Sequence, residues 1–416
     1  MRKAGSKILL IGTFLAILPG ATLLAQSEKT DEALRKDKKE ETSIASSFSV
    51  TTGLGFNSNV FDTPTQGYTD YATTPPVAVT VHPRSGFFIP LRFSGEGMKP
   101  SGKNRFLFSY DGKSDRYLGE TKNATSSRHL FKGAFELVKA QQGKREDTLH
   151  LEALLTRNQE TYVDHDSGAL KTTSKKGKDL SNRYNYTSTG FGAEYTQDTS
   201  SIQFGVRAEQ ESLDYAVAGD GTEYDHVYTL VGGDVTVPVS DALRANVDLK
   251  NYSRAYSSRH AWDLAGSTKK SYPLREYRYK DLKTELRYRT HSIWSLFLDY
   301  RRLERSDAYV GYGDYTLQRY RAWVVAAPSE SYKARLEYSF WNREYPRGLA
   351  FDAPTCGASA CERKRYDGMD VSLKNEFPRG KNLKYDLRLE YKEQNSTDPR
   401  YAFKRILVQG EVNYSF

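Results

Sequence analysis

Ile406-Leu407-Val408-Gln409-Gly410-Glu411-Val412-Asn413-Tyr414-Ser415-Phe416 carries, counted back from Phe416, an apolar residue or glycine at every second position. Successive side chains of an extended strand point to opposite faces. Phe416, Tyr414, Val412, Val408 and Ile406 therefore share one face, and Ser415, Asn413, Glu411, Gln409 and Arg405 the other. Such a strand parts an apolar medium from water. The segment before it repeats the pattern: Leu383, Tyr385, Leu387, Leu389 and Tyr391 alternate with Lys384, Asp386, Arg388, Glu390 and Lys392. An Arg or Lys on the lipid side at mid-depth costs about 2–4 kcal/mol, so the charged set must face inward.

This ending resembles the C-terminal strand of Gram-negative outer-membrane β-barrels, and the resemblance implies that Phe416 is an assembly signal read by the barrel-assembly machinery. A second resemblance lies in Gly53-Leu54-Gly55-Phe56-Asn57-Ser58-Asn59-Val60-Phe61-Asp62. It is similar to the first strand of a loose porin-like class, in which a glycine-aromatic strand ends in Ser-Asn-aromatic. Some members of that class occur with polysaccharide-export systems. The likeness covers these two segments only.

The N-terminus agrees independently. Arg2, Lys3 and Lys7 precede an apolar run from Ile8 to Leu18, a Pro19-Gly20 break and Ala25. This is the pattern of a secretory signal peptide over residues 1–25; the run is too short for a spanning helix of roughly 20 residues. No cysteine stands near the cleavage point, which excludes a lipid-anchored mature N-terminus. Residues 26–45, dense in Glu, Asp, Lys and Arg, cannot bury a core and read as a charged periplasmic linker. From residue 46 to 416 no composition break divides the chain.

No long apolar stretch follows Ala25, yet Tyr (30) and Phe (19) are abundant, so a helical membrane protein is excluded. A barrel hides its hydrophobicity by alternation. Strand patterns come in pairs joined alternately by a very short and a long polar link, from Phe48–Val60 to Tyr401–Phe416. The expected fold is all-β: a transmembrane antiparallel up-and-down barrel of about sixteen strands, with fourteen or eighteen as the alternatives. The uncertainty sits at Val77–Pro83, a separate strand or the head of its neighbour, and at Pro90, which calls for a bulge or an irregular edge.

Around sixteen strands enclose an aqueous channel, where about eight leave room only for side chains. The same parity rule places Arg244, Asp248, Lys250, Lys283, Glu285, Arg287, Arg289, Asp299, Arg301, Arg305, Arg319, Arg321, Lys333, Arg335, Glu337, Arg343, Lys384, Asp386 and Arg388 inside. Of the chain's +9 formal charge, +7 falls after residue 45, which raises the local concentration of anions if the lumen carries it. Surface loops such as Lys171–Lys178, facing lipopolysaccharide phosphates, are the other place for that excess.

Cys356 and Cys361, in a Gly-containing segment between two strand patterns, are expected to form a small disulfide in an oxidising envelope. An enzyme reading finds little support: His129, His150 and His291 stand in separate strands or turns, without a serine or aspartate at a useful spacing. The sequence therefore leads to a non-enzymatic outer-membrane pore without cofactor or metal, bathed in outer-membrane lipid and lipopolysaccharide. It favours anionic solutes or acidic polysaccharide and has no nucleic-acid partner; a non-conducting surface scaffold or adhesin is the alternative.

Overall fold

In the computed structural model, sixteen antiparallel strands close into one barrel. Described are residues 44–70, 75–141, 145–164, 170–171, 179–199, 201–217, 224–289, 293–350 and 362–416. The proposed signal peptide and linker up to residue 43, and Cys356, Cys361 and His291, lie outside them.

The wall runs β1 (Ala45–Asn57), β4 (Gly86–Ser101), β5 (Asn104–Tyr117), β6 (Ser126–Gln141), β7 (Arg145–Glu160), β8 (Tyr186–Asp198), β9 (Gln203–Tyr215) and β10 (His226–Pro238). It continues with β11 (Leu243–His260), β12 (Leu274–Arg289), β13 (Trp294–Asp307), β14 (Tyr315–Ser329), β15 (Tyr332–Leu349), β16 (Arg363–Arg379), β17 (Leu383–Ser396) and β18 (Phe403–Ser415). Each pairs with its sequence neighbour, and β1 closes the ring by pairing with both β4 and β18. The remaining β2 (Tyr68–Asp70) and β3 (Val77–Val79) form a separate two-stranded sheet in the first loop. Val77 is thus neither the head of β4 nor a wall strand.

One end of the barrel has connections of only two to four residues, the other of six to twenty-eight. This is the asymmetry of periplasmic turns and extracellular loops. Two of the short turns use glycine with positive φ, Gly102 at 63° and Gly380 at 69°, where a side chain would be strained.

Outside, β13 presents Trp294, Leu296, Leu298 and Tyr300, β15 presents Leu336, Tyr338 and Phe340, and β17 presents Tyr385, Leu387 and Leu389. Leu336 and Leu387 are 54% and 47% exposed. So much open leucine is stable only against hydrocarbon. Toward the loop end the same faces turn polar: Arg278, Lys280, Arg302 and Glu304 point outward beyond the apolar band.

The seam where the barrel closes needs close backbone approach. A Cβ on Gly53 would stand 1.9 Å from the Gly410 carbonyl oxygen, and one on Gly55 would enter the Phe88 ring at 2.2 Å. Pro90 sits opposite this seam, but with no bulge: the pairs Thr52 with Leu91 and Gly55 with Phe88 share one register, and the ladder is merely interrupted between them. Proline's missing N–H thus falls where no bond to β1 is made. Phe416 donates its N–H to the Phe48 carbonyl at 2.8 Å and turns its ring outward beside Phe48 and Tyr414.

The segment Asn57–Asp62 locks the seam from the loop end. Ser58 extends the ladder to Ile406, donating its N–H to the Ile406 carbonyl and accepting the Ile406 N–H on Oγ. Asn59, 2% exposed, accepts the Thr63 N–H and donates to the carbonyls of Thr63 and Lys404. Asn59→Ala removes these three buried hydrogen bonds and is expected to cost about 2–3 kcal/mol. Urea unfolding of the folded barrel reads this; a loss within about 0.5 kcal/mol, the range of ordinary surface changes, would contradict it.

Candidate functional site

The inner wall follows from the two-residue period. On β14, Arg319, Arg321 and Trp323 turn inward between outward Tyr320 and Ala322; on β15, Lys333, Arg335, Glu337 and Arg343 turn inward between Ala334, Leu336 and Tyr338. Arg244 and Lys250 on β11, Lys283, Arg287 and Arg289 on β12, Asp299 and Arg301 on β13, and Lys384, Asp386 and Arg388 on β17 also share the inner face. Many keep a large part of their surface in solvent: the Arg335, Arg388 and Lys333 side chains are 40%, 50% and 49% exposed. Protein does not fill the interior around them.

Register decides how these charges pair. Lys374 lies opposite Arg388, and Glu376 opposite Asp386, so like faces like across the strands. Pairs therefore form along each strand between residues two apart: Arg335 with Glu337 at 2.6 Å, Lys374 with Glu376 at 2.7 Å, Lys384 with Asp386 at 3.3 Å, Arg388 with Glu390 at 2.5 Å. Deeper carboxylates are shared. Asp299, with a wholly buried side chain, faces Lys283, Arg321 and Arg319 at 3.3, 3.4 and 3.6 Å. Asp281 holds Arg301 through two hydrogen bonds of 2.8 and 2.6 Å. Asp248 accepts from the single Nη2 of Arg207 on both oxygens, at 2.7 and 2.9 Å, with Lys250 at 3.2 Å. Arg287 lies over the Phe297 ring, which stacks on Trp323 at 4.7 Å under Arg321 and Arg335.

The opposite arc has the other sign. Glu194 on β8, Glu209 and Glu211 on β9 and Asp234 on β10 all turn inward. Arg207 is the cation on their inner faces, and it is committed to Asp248. The lumen is therefore polarised from an acidic arc over β8–β10 to a predominantly basic one over β11–β18. Sequence parity could have found these carboxylates by the same rule.

Toward the loop end the inner face becomes aromatic. Tyr186, Tyr215, His226, Tyr256, Tyr277 and Tyr279 run on from ring to ring with centroids 5.1–6.5 Å apart. Arg305, 4.3 Å from both the Tyr277 and Tyr315 rings, carries the series to Tyr345, Tyr366 and Tyr401. The loops then fold inward onto this ribbon. Trp262 lies under the buried Arg275 at 3.7 Å and packs on the cluster of Tyr277, Tyr279, Leu303 and Leu317. Asp62 of the first loop pairs with inward Arg405 at 3.0 Å, and Tyr401 of the last rests on Tyr366.

Asp263 shapes the loop that carries Trp262. The Ser267 N–H, then the Tyr272 hydroxyl and the Ala265 N–H, hold its carboxyl below the ordinary range. The sequence signal for the ribbon was tyrosine recurring two residues apart, as in Tyr277 and Tyr279. His150 lies between Glu136 and Glu152 at 3.3 and 3.7 Å, whereas His129 points outward to the Tyr110 hydroxyl. Among the described residues no group of three or more His, Cys, Asp or Glu is placed to hold a metal ion.

No protein-family model and no curated protein matches the chain. Solved outer-membrane barrels resemble it in fold. An anion-selective porin from Comamonas acidovorans is 11% identical, with 90% of this chain and 100% of that one covered and a TM-score of 0.47. OccAB3 of Acinetobacter baumannii is 12% identical over 89% and 98%, with a TM-score of 0.44. A bacterial polysaccharide outer-membrane secretin is 7% identical over 89% and 98%, with a TM-score of 0.43.

Proposed function

We propose that this barrel is an outer-membrane channel that favours anionic solutes, acidic saccharides among them. The observation that carries the reading is a closed sixteen-strand wall whose inward charges stay partly solvated. A barrel of about this size holds water, and fixed guanidinium groups, always charged, set up a positive field wherever they outnumber carboxylates. Over β11–β18 they do: Asp299 and Asp386 are each shared by two or more cations, and Arg254, Arg275, Arg305 and Arg343 lean on aromatic rings or backbone carbonyls instead. The acidic arc over β8–β10 works against them, so a transported anion keeps to the β11–β18 side. Orientation with loops outward in a lipopolysaccharide leaflet, and passage of an acidic polymer, belong to the same proposal.

A second reading, a non-conducting surface scaffold, draws support from the loops that fold onto Tyr277 and Tyr279, since they narrow the entrance. Planar bilayers separate the two. The purified barrel is expected to conduct, with a reversal potential under a KCl gradient displaced toward that of chloride. A folded, inserted barrel without conductance would favour the scaffold.

A further inference from the structure

At the short-turn end, Arg244, Arg287 and Arg289 bring three guanidinium groups onto adjoining inner faces of β11 and β12. Arg244 stands directly opposite Arg287 in the register, and Arg289 follows on the same face. Like charges directly opposite each other destabilise a sheet. Elsewhere on this wall such rows are relieved by a carboxylate two residues along. Here Glu285, which could serve, gives its Oε2 to Lys283 at 3.1 Å. Asp241, in the turn joining β10 to β11, forms no ion pair with any of the three among the described residues. Only Arg287 has a ring beneath it, Phe297 at 5.1 Å, and Arg244 and Arg289 are both exposed.

We infer that Arg244, Arg287 and Arg289 form an anion-capture site at the periplasmic mouth, fitted to a multivalent anion with carboxylate, phosphate or sulfate groups a few ångströms apart. Repulsion left standing in the free protein is relieved when such an anion binds, and each guanidinium offers a two-pronged donor pair to an oxyanion. A monovalent anion satisfies one arginine and leaves the others repelling, so affinity rises steeply with ligand charge. The site rests on the channel reading for its role in transport, though not for its existence. Its position gives the channel a side: polyanions load from the periplasmic end, below the Asp299 cluster.

Citrate, with three carboxylates, is the probe. Titrated calorimetrically at low salt into the detergent-folded barrel, it is expected to bind at least tenfold more tightly than to R244Q/R287Q/R289Q. Acetate should bind at least tenfold more weakly than citrate. R302Q, on the outer face, should bind as the wild type does. The triple variant removes mutually repelling charges and, of favourable contacts, the one between Arg287 and the Phe297 ring, and should keep the heat-modifiable gel migration of a folded barrel. In oriented bilayers citrate should reduce the KCl current from the turn side at no more than a tenth of the concentration needed from the loop side. Equal affinity of wild type and triple variant, or equal block from both sides, would overturn the site. Citrate binding without conductance would uphold the site while removing the channel.

Discussion

R319E/R321E/R335E is expected to turn an anion-favouring conductance into a cation-favouring one. Each substitution changes the local charge by two units. All three residues face the lumen on adjacent strands, with side-chain exposures of 29%, 23% and 40%, so the reversed charges are felt by the permeating ion and not hidden in the wall. The present carboxylates Asp299 and Glu337 would then add to the new ones instead of neutralising arginines. The shift in reversal potential should be large in about 0.1 M KCl, where the Debye length is about 10 Å, and much smaller in about 1 M, where it is about 3 Å.

The same substitutions remove two of the three cations around Asp299, so folding has to be protected. R319E/R321E/R335E/D299N, which neutralises the stranded carboxylate, should fold better and shift the potential in the same direction. A folded quadruple variant that still prefers chloride would place the selectivity elsewhere on the wall.

The parity of this wall could be read directly because one residue of slip would turn Leu387 and Leu389 into the lumen and Asp386 and Arg388 into lipid. Strand ends could not. Beyond the apolar band both faces are polar: Arg302 and Glu304 point outward while Arg301 and Arg305 point inward, and the alternation vanishes. The strands nevertheless continue through this region to His260, Leu274 and Asp307. At Pro90 the expectation of a bulge or an irregular edge is met by the second kind, a gap in the ladder to β1.

Within the lumen, orientation was legible and partnership was not. Pairing depends on register, which places Lys374 opposite Arg388 and so sends these two to Glu376 and Glu390 on their own strands, whereas Arg301 and Arg321 find Asp281 and Asp299 on a neighbouring strand. Register between strands is not written in the period of either one. The inward fold of the Trp262 loop was likewise invisible, because it arises from Arg275 and Tyr277, which lie on the following strand. Ser58 and Asn59 stood out as a motif, but their work of locking β1 to β18 becomes visible only when residues 345 apart in the chain meet.

Asp299→Asn should be among the most destabilising single polar changes in the barrel. The carboxylate is wholly buried, and its removal leaves Arg319 without its carboxylate beside Lys283 and Arg321, which keep only Glu285 at 3.1 Å and Glu337 at 3.5 Å. Breaking a buried pair by removing one partner costs about 3–5 kcal/mol. The lower end is expected, about 3 kcal/mol, because the three cations keep 32%, 29% and 23% of their side-chain surface in lumenal water, which screens part of the repulsion. By contrast R302Q breaks the outward Arg302–Glu304 pair, 2.6 Å long with both side chains more than 40% exposed, and should cost under about 1 kcal/mol. Urea unfolding of the two variants in the same vesicles compares them directly. The neutralised Asp299 site should also strengthen chloride preference, since three cations lose their shared anion while remaining in place. Equal small losses of stability in both variants would mean that lumenal water screens the Asp299 cluster as fully as bulk solvent screens the surface, and the wall would then owe its order to backbone pairing alone.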